Sequence, residues 1–492
     1  MNKNRPTPEH LGVVAEFRQQ VYGLFEKQRD VLFEISDAII QTPRARSYAE
    51  LSQAPAMSRK WPSIYRALAE GEVNKEGLGK LCMQQLPSGA KRYHFACDVM
   101  AVRRMQSPTL KERVYCHGAQ REVGGKGVII GLPYSLVAYV EKPGTSWAPT
   151  VDSQRVKPDE SAVEVAVGQA KRVVKQMPEN STAEIALDGG YGNLKFFSRM
   201  LGVKTSASEE ASFASEEAGF VSEEASTHGF ANENEETACE CFATARMRND
   251  RVFYQLPPPL PKDQPKKPGR PRKYGPAFRF ADPSTWPTPD ETLDFVDPKY
   301  GLVHLELWSA LRLEVKQAFV DIAVVRSQIH LERDKPPAPH WYGVHNGTTQ
   351  ATTLERAFEC ITHRWPIEPA NRFRKDQLYA QLPKLRQAQA SDLWMTLLQI
   401  VEWELFIWRK VATDVHLPWQ KPLPSDQLTP GRVIRSLSQH LPHLATPVKP
   451  VLPRGKAPGW PPGRPRTSPP TYRLVPKYPK KAKHTPKTSK NQ

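Results

Sequence analysis

Residues 93–100 read YHFACDVM and residues 183–190 read AEIALDGG. Each is a short apolar run ending on an aspartate: Asp98 follows Phe95-Ala96-Cys97, and Asp188 follows Ile185-Ala186-Leu187. A carboxylate does not belong in the buried interior of a strand, so each is predicted to stand where a strand leaves the core. Neighbouring strands lie under about 5 Å apart, so two such carboxylates can share hard divalent cations. Two cations about 4 Å apart stabilise the attacking and leaving oxygens of an in-line phosphoryl displacement.

Working outward, RVYCHGAQ (113–120) and GVIIGLPYSLVAYVE (127–141) read as further strands. A helix is expected over 160–177, and GNLKFFSRMLG (192–202) reads as an amphipathic helix after the strand that carries Asp188. Three strands, a crossover helix and a fourth strand returning parallel beside the first is the order of an RNase H-like α/β domain, and the right-handed crossover rule permits it. The fold class predicted is α/β: an RNase H-like mixed sheet with flanking helices, an N-terminal helical domain, a β-rich insertion and a disordered basic C-terminal tail.

Cation chemistry of this kind needs a third carboxylate. Glu368 in HRWPIEPANRFRKDQL (363–378) is the candidate. Arg364 stands four residues before it and Lys375 seven after, and on a helix these spacings put all three on one face. The pattern fits a metal site that also holds DNA phosphates, and it fits a surface ion-pair stripe as well.

The chain has 492 residues, 69 Lys+Arg against 52 Asp+Glu, and a formal net charge of +17, which points first to nucleic acid. Its 47 prolines are about twice ordinary usage and argue against one uniform globule. No apolar run of about 18 residues exists, and the N-terminus lacks an apolar signal region, so no membrane span or secretory signal is expected. Six scattered cysteines fit a reducing cytosol, and a cytoplasmic, nucleoid-associated protein is expected. No HExxH pair or Walker A loop occurs, which disfavours a zinc hydrolase or an ATPase.

Domain boundaries follow the changes in texture. Residues 1–88 read as helical. Within them, LGVVAEFRQQVYGLFEKQRDVLFEISDAII (11–40) has helical spacing over about seven turns. SYAELSQAPAMSRKWPSIYRALAEG (47–71) resembles a helix-turn-helix with Arg59, Lys60 and Arg66 near its second helix, or else it is a plain packing unit. Residues 89–204 form the first part of the catalytic core. Residues 205–240 are an acidic low-complexity insertion with three heptads, SEEASFA, SEEAGFV and SEEASTH, and with ten Glu and no Lys or Arg between Ser206 and Glu240. It is either a slippage repeat without function or an internal DNA mimic. Residues 241–350 are a β-rich inserted subdomain, 351–415 the C-terminal helical part of the core, and 416–446 a linker with a short helix. Residues 447–492, with 12 Lys/Arg, 12 Pro and no acid, form a disordered tail suited to phosphate contact.

Further motifs carry DNA-binding chemistry. KKPGRPRKYG (266–275) and PPGRPRTS (461–468) both contain Gly-Arg-Pro-Arg. Either they lie in a narrow minor groove, as an AT-hook core does, or they make non-specific phosphate contacts. The candidate residues are Arg270, Arg272, Lys273, Arg464 and Arg466. Trp286, Trp308 and Trp341 fall in the insertion and read as core residues or as base-stacking platforms.

Taken together, the motifs resemble a bacterial insertion-sequence transposase of the DDE class. The likeness is to the branch with a YREK signature, in which Tyr, Arg, Glu and Lys are separated by two, three and six residues. Arg364, Glu368 and Lys375 meet that spacing, and Ile361 stands at the tyrosine position. CDVMAVRR, RVYCH, GVIIGLPYSLVAYVE and SWAPTVDSQRV resemble the surroundings of the first aspartate, and ALDGGYGNLKFF those of the second. ATARMRNDRVFYQLPPP, GRPRKYG and ADPSTWPTP are similar to the family's insertion before the glutamate, and the likeness runs over roughly residues 10–480, broken at the acidic heptads.

The resemblance implies that Asp98, Asp188 and Glu368 are the catalytic acids and hold two Mg²⁺ ions, with Mn²⁺ as a substitute. Arg364 and Lys375 would position phosphates. It implies cleavage at the transposon's terminal inverted repeats and transfer of the freed 3′-OH to target DNA, by a homodimer that pairs two ends. A catalytically inactive DNA-binding relative and an RNase H-like nuclease without strand transfer are the alternatives.

Overall fold

The computed structural model describes residues 8–43, 45, 47–117, 127–192, 194–200, 241–257, 273–315, 318–330, 338–345, 354–381, 384–451, 459, 461–465 and 468–475. The acidic heptads lie outside the described residues, as do Arg270, Arg272 and Arg466.

The N-terminal part comprises α1 (Pro8–Leu24), β1 (Phe25–Lys27), α2 (Arg29–Gln41), α3 (Tyr48–Leu51), α4 (Trp61–Glu70), β2 (Glu72–Val73) and α5 (Lys75–Gln84). The helical run expected over 11–40 is broken. Gln28 takes a left-handed backbone (φ 56°), and Phe25–Lys27 pairs instead with β2. Apolar periodicity passes through such a break unseen. In the helix-turn-helix candidate, α3 is a single turn. Arg59 is half-buried and tied to Glu34 at 2.5 Å, whereas Arg66 is exposed and pairs with Glu70 at 2.9 Å.

The central sheet is built on β3 (Arg92–Arg103), β4 (Val114–His117), β5 (Val128–Val140), β6 (Thr150–Arg155), β7 (Thr182–Leu187) and β8 (Cys241–Met247). β5 runs antiparallel to β3 and to β6, whereas β7 runs parallel to β3 and β8 parallel to β7. The crossover from β6 to β7 is α6 (Ala162–Lys175), and α7 (Leu194–Met200) follows β7. This mixed sheet with flanking helices is consistent with an RNase H-like fold.

The strand expected in RVYCHGAQ is present: its described residues contribute β4, which pairs with β5 over Val128–Gly131. The third core strand is β6, TVDSQR, whose mixed polarity hides it. Its outer edge is capped by side chains of a later helix rather than by another strand: Trp403 donates to the Thr150 carbonyl (2.6 Å), Gln399 donates to the Val151 carbonyl (3.0 Å), and Glu402 accepts from the Thr150 N–H (2.9 Å).

The chain between β8 and the next helix carries β9 (Val252–Tyr254), β10 (Ala277–Arg279), β11 (Glu291–Asp297), β12 (Gly301–Val315), β13 (Ala318–His330) and β14 (His340–His345). β14 pairs antiparallel with β8, so these strands extend the central sheet. Trp308 and Trp341 are buried there, and Trp341 stacks on Phe280 at 4.2 Å. Trp286 packs against the same cluster at 5.1 Å from Trp341, so all three are packing residues.

Four helices close the described chain: α8 (Leu354–Thr362), α9 (Ile367–Asp376), α10 (Ala388–Trp408) and α11 (Pro430–His440). α10 is buried along nearly its whole length between the sheet and the N-terminal helices. Arg18 of α1 pairs there with Asp37 of α2 (2.7 Å) and Glu404 of α10 (2.5 Å), all three buried. The tail is anchored in part: the Tyr472 N–H donates to the Pro108 carbonyl (2.9 Å) and the Val475 N–H to the Arg113 carbonyl (3.0 Å). Among the described residues no helix is long and apolar enough to cross a membrane.

Candidate active site

β3 does not end at Asp98. It continues to Arg103, paired with β5 throughout. What ends there is the partnership with β7, whose last rung is Cys97–Leu187. Asp98 and Asp188 are therefore the first residues beyond that rung on adjacent parallel strands, which is why both carboxylates emerge at one end of the sheet.

Glu368 arrives from the other direction. The expectation of one helix carrying Arg364, Glu368 and Lys375 is corrected: α8 stops at Thr362, and α9 begins at Ile367. Arg364 lies in the turn between them, where Pro366 has no N–H to continue a helix. From that turn its guanidinium still meets Glu368 Oε1 at 2.9 Å and Asp188 Oδ1 at 3.4 Å. The side chains of Asp188 and Glu368 are 44% and 50% exposed, so their carboxylates are open to a ligand. Lys375 is half-buried two turns along α9.

Asp98 is the most enclosed of the three acids. Its Oδ1 accepts from the Val99 N–H (2.8 Å) and its Oδ2 from the Asn371 side-chain amide (3.0 Å). Burial pushes its carboxyl up to about 6. Arg364 opposes that rise, and the nearby Glu368 and Asp188 add to it. Three carboxylates crowded at one point, one of them disfavoured in its charged form, make a donor set of oxygens suited to a hard divalent cation. Arg364 provides the positive charge between two of them.

Residues 20–207 match the family model described as DDE superfamily endonuclease. The matched span is under half the chain and includes Asp98 and Asp188. It supports a DDE-type nuclease or transposase family and a DNA substrate. Enzymes of that superfamily depend on divalent metal. No curated protein matches the chain.

Around the DDE-like acids, several residues come together that sequence reasoning did not single out. Asn371 is held by Arg374 (2.8 Å), and Arg374 pairs with Glu402, the residue that caps β6. Asn371 and Arg374 fall three and six residues after Glu368, a helical spacing that marks a shared side of α9. A cleft of about 370 Å³ beside Asp188 is lined by Gly189, Arg246, Met247, Arg248 and Asn249. Arg246 and Arg248 are exposed there. Gly192 permits this approach, since a Cβ would lie 2.3 Å from the Arg246 carbonyl oxygen. A larger cavity of about 570 Å³, between α5, α6 and β6, contains none of the three acids. Trp365, next to Arg364, is 47% exposed, with Lys299 Nζ 4.9 Å over its ring.

Ile361 is half-buried on α8 and brings no hydroxyl to the site. Of the Gly-Arg-Pro-Arg candidates, Lys273 is half-buried and its carbonyl accepts from Arg312 (2.5 Å). Arg464 is exposed. Neither adjoins the acids in any described contact.

Proposed function

We propose that the chain is a DDE transposase of the YREK-signature insertion-sequence branch, which cuts DNA at transposon ends and joins the freed 3′-OH to target DNA. The observation that carries this reading is the convergence of Asp98, Asp188 and Glu368 on one end of the sheet, with Arg364 between two of them.

The donor set fits two divalent cations, Mg²⁺ with Mn²⁺ as substitute, held by Asp98, Asp188 and Glu368. When bound they neutralise charge on the attacking and leaving oxygens of the phosphodiester. The chain's own residues orient the substrate. Arg364 is pre-organised by two carboxylates and presents its guanidinium to a phosphate oxygen. Lys375 supplies a second cation further along α9, and Arg246 and Arg248 line the approach beside Asp188. Asn371 fixes the rotamer of Asp98, so that the acid is aimed before substrate arrives. The Arg464 region and the other Gly-Arg-Pro-Arg residues (Arg270, Arg272, Lys273, Arg466) serve DNA outside the centre. Two copies act together, because two transposon ends must be paired before joining.

The test is a plasmid joining assay with the protein, a donor fragment bearing the element's terminal repeats, and a target plasmid. Joined products that require Mg²⁺ and disappear in Glu368→Gln support the transposase. Cut ends with no joined product in either metal leave a nuclease of the same superfamily, and tight binding without cutting leaves a DNA-binding relative.

A further inference from the structure

A second cluster of ionisable side chains lies on the same sheet face as the acids. On β3, Arg92, His94 and Asp98 share one face, and on β7 so do Glu184 and Asp188. His94 stands opposite Glu184 in the parallel ladder, four residues and about 13 Å before Asp98. The intervening Ala96 and Ala186 are small enough for α9 and α8 to pack directly on the sheet. Above this floor α8 presents Arg356 and Glu359, and the turn after it presents His363, at spacings of three and four residues.

Glu184 is fully buried. It meets Arg356 at 2.9 Å and Arg92 at 3.5 Å, and its Oε2 faces His94 Nδ1 at 3.3 Å without completing a hydrogen bond. The other nitrogen of His94 faces Glu359 Oε1 at 3.3 Å, and Arg92 reaches Glu359 at 2.7 Å. The His363 ring stacks on His94 at 3.7 Å, and its Nδ1 lies 2.6 Å from the Glu359 carbonyl oxygen, to which it can donate. Burial, with the charge of His94 beside it, pulls His363 down to about 4, so that ring is neutral. Hydrogen bonding to His94, with the charges of His94 and Arg92, holds the Glu359 carboxyl at about 2 against the opposing effect of burial.

We propose that His94 is a positioning residue: its ring, set between Glu184 on β7 and Glu359 on α8 and stacked on His363, completes the cluster of arginine–carboxylate pairs that ties α8 to the sheet, and so holds Arg364 and Glu368 over Asp98 and Asp188. The inference rests on the proposed function for its catalytic consequence, but the latch itself does not. Donor atoms of His94, Glu184 and Glu359 lie within 4.8 Å of one another, close enough for a cation to bridge. Each carboxylate already has an arginine, however, and a divalent ion would leave the pocket with uncompensated positive charge.

The experiment uses the full chain, with Glu359→Gln and His94→Gln. Hydrogen–deuterium exchange of residues 354–376 is compared between wild type and the two variants. Mg²⁺-dependent cleavage and DNA affinity are measured on the same samples. Both variants are expected to lose the protection of wild type, and Glu359→Gln to cut roughly tenfold or more slowly, as when an outer-shell partner is removed, with DNA affinity unchanged. If His94→Gln does not fold, the partly exposed Glu359 still carries the test. Wild-type protection in both variants overturns the latch. So does protection that appears only with added Mn²⁺, survives Asp188→Asn and is lost in Glu359→Gln. A wild type that never cuts, while Glu359→Gln still loses its protection, sinks the transposase reading and leaves the latch standing.

Discussion

Asn371 donates its side-chain amide to Asp98 Oδ2 at 3.0 Å, linking α9 to the strand that carries the first acid. Arg374 and Glu402 stand behind it, so the orientation of Asp98 is set from the interior of the protein. Replacing Asn371 by Ala should lower Mg²⁺-dependent cleavage by about 10–100-fold, the usual cost of losing an outer-shell partner. Cleavage kinetics alongside a thermal melt check this: the rate should fall with only a small change in Tm.

On the proposed function, a proton on Asp98 competes with the cation. Its carboxyl titrates at about 6 because it is buried, with Glu368 and Asp188 adding to the shift. Mn²⁺ affinity, measured calorimetrically, should therefore fall as pH drops through about 6. Without cation, the ionised form is penalised in the folded protein only. Asp98→Asn should then be more stable than wild type at neutral pH, and the advantage should vanish below about pH 4, where the unfolded chain is also protonated.

Among the described residues, Arg18 is the one cation paired with the buried carboxylates of Asp37 and Glu404. Burial raises the pKa of both acids, and Arg18 opposes it. Arg18→Met leaves two buried acids facing each other and should cost about 3–5 kcal/mol of stability. The loss should shrink at low pH, where the carboxyls take up protons. Denaturant titrations at two pH values check both points.

Arg246 lines the cleft beside Asp188 and is exposed. If it meets a phosphate, Arg246→Ala should weaken DNA binding and reduce the slope of log affinity against log salt by about 0.9, the value for one contact to duplex DNA. Anisotropy titrations over a salt series measure that slope, and an unchanged slope would remove Arg246 from the interface.

Some of this was readable in the chain and some was not. The runs before Asp98 and Asp188 are apolar and short, so their strands and the position of the acids beside each other could be read directly. β6 could not, because an edge strand capped by Gln399, Glu402 and Trp403 needs no apolar run of its own. The break at Gln28 depends on one left-handed residue, which side-chain periodicity does not register. The spacing of Arg364, Glu368 and Lys375 was legible, but the turn at Pro366 was read as helix. Asn371 of α9, which holds Asp98, and Glu359 of α8, which faces His94, come from more than two hundred residues away, and no local pattern announces them.

The central claim is that Asp98, Asp188 and Glu368 form one metal-dependent cleavage centre. Its most direct test is Mg²⁺-dependent nicking of DNA carrying the element's terminal repeats, by wild type and by Asp98→Asn, Asp188→Asn and Glu368→Gln, with binding measured in parallel. The prediction is that wild type nicks at the repeat boundary while all three variants bind and do not cut. Cleavage by any of the three at the wild-type rate, or a wild type that binds and never cuts with Mg²⁺ or Mn²⁺, would contradict it.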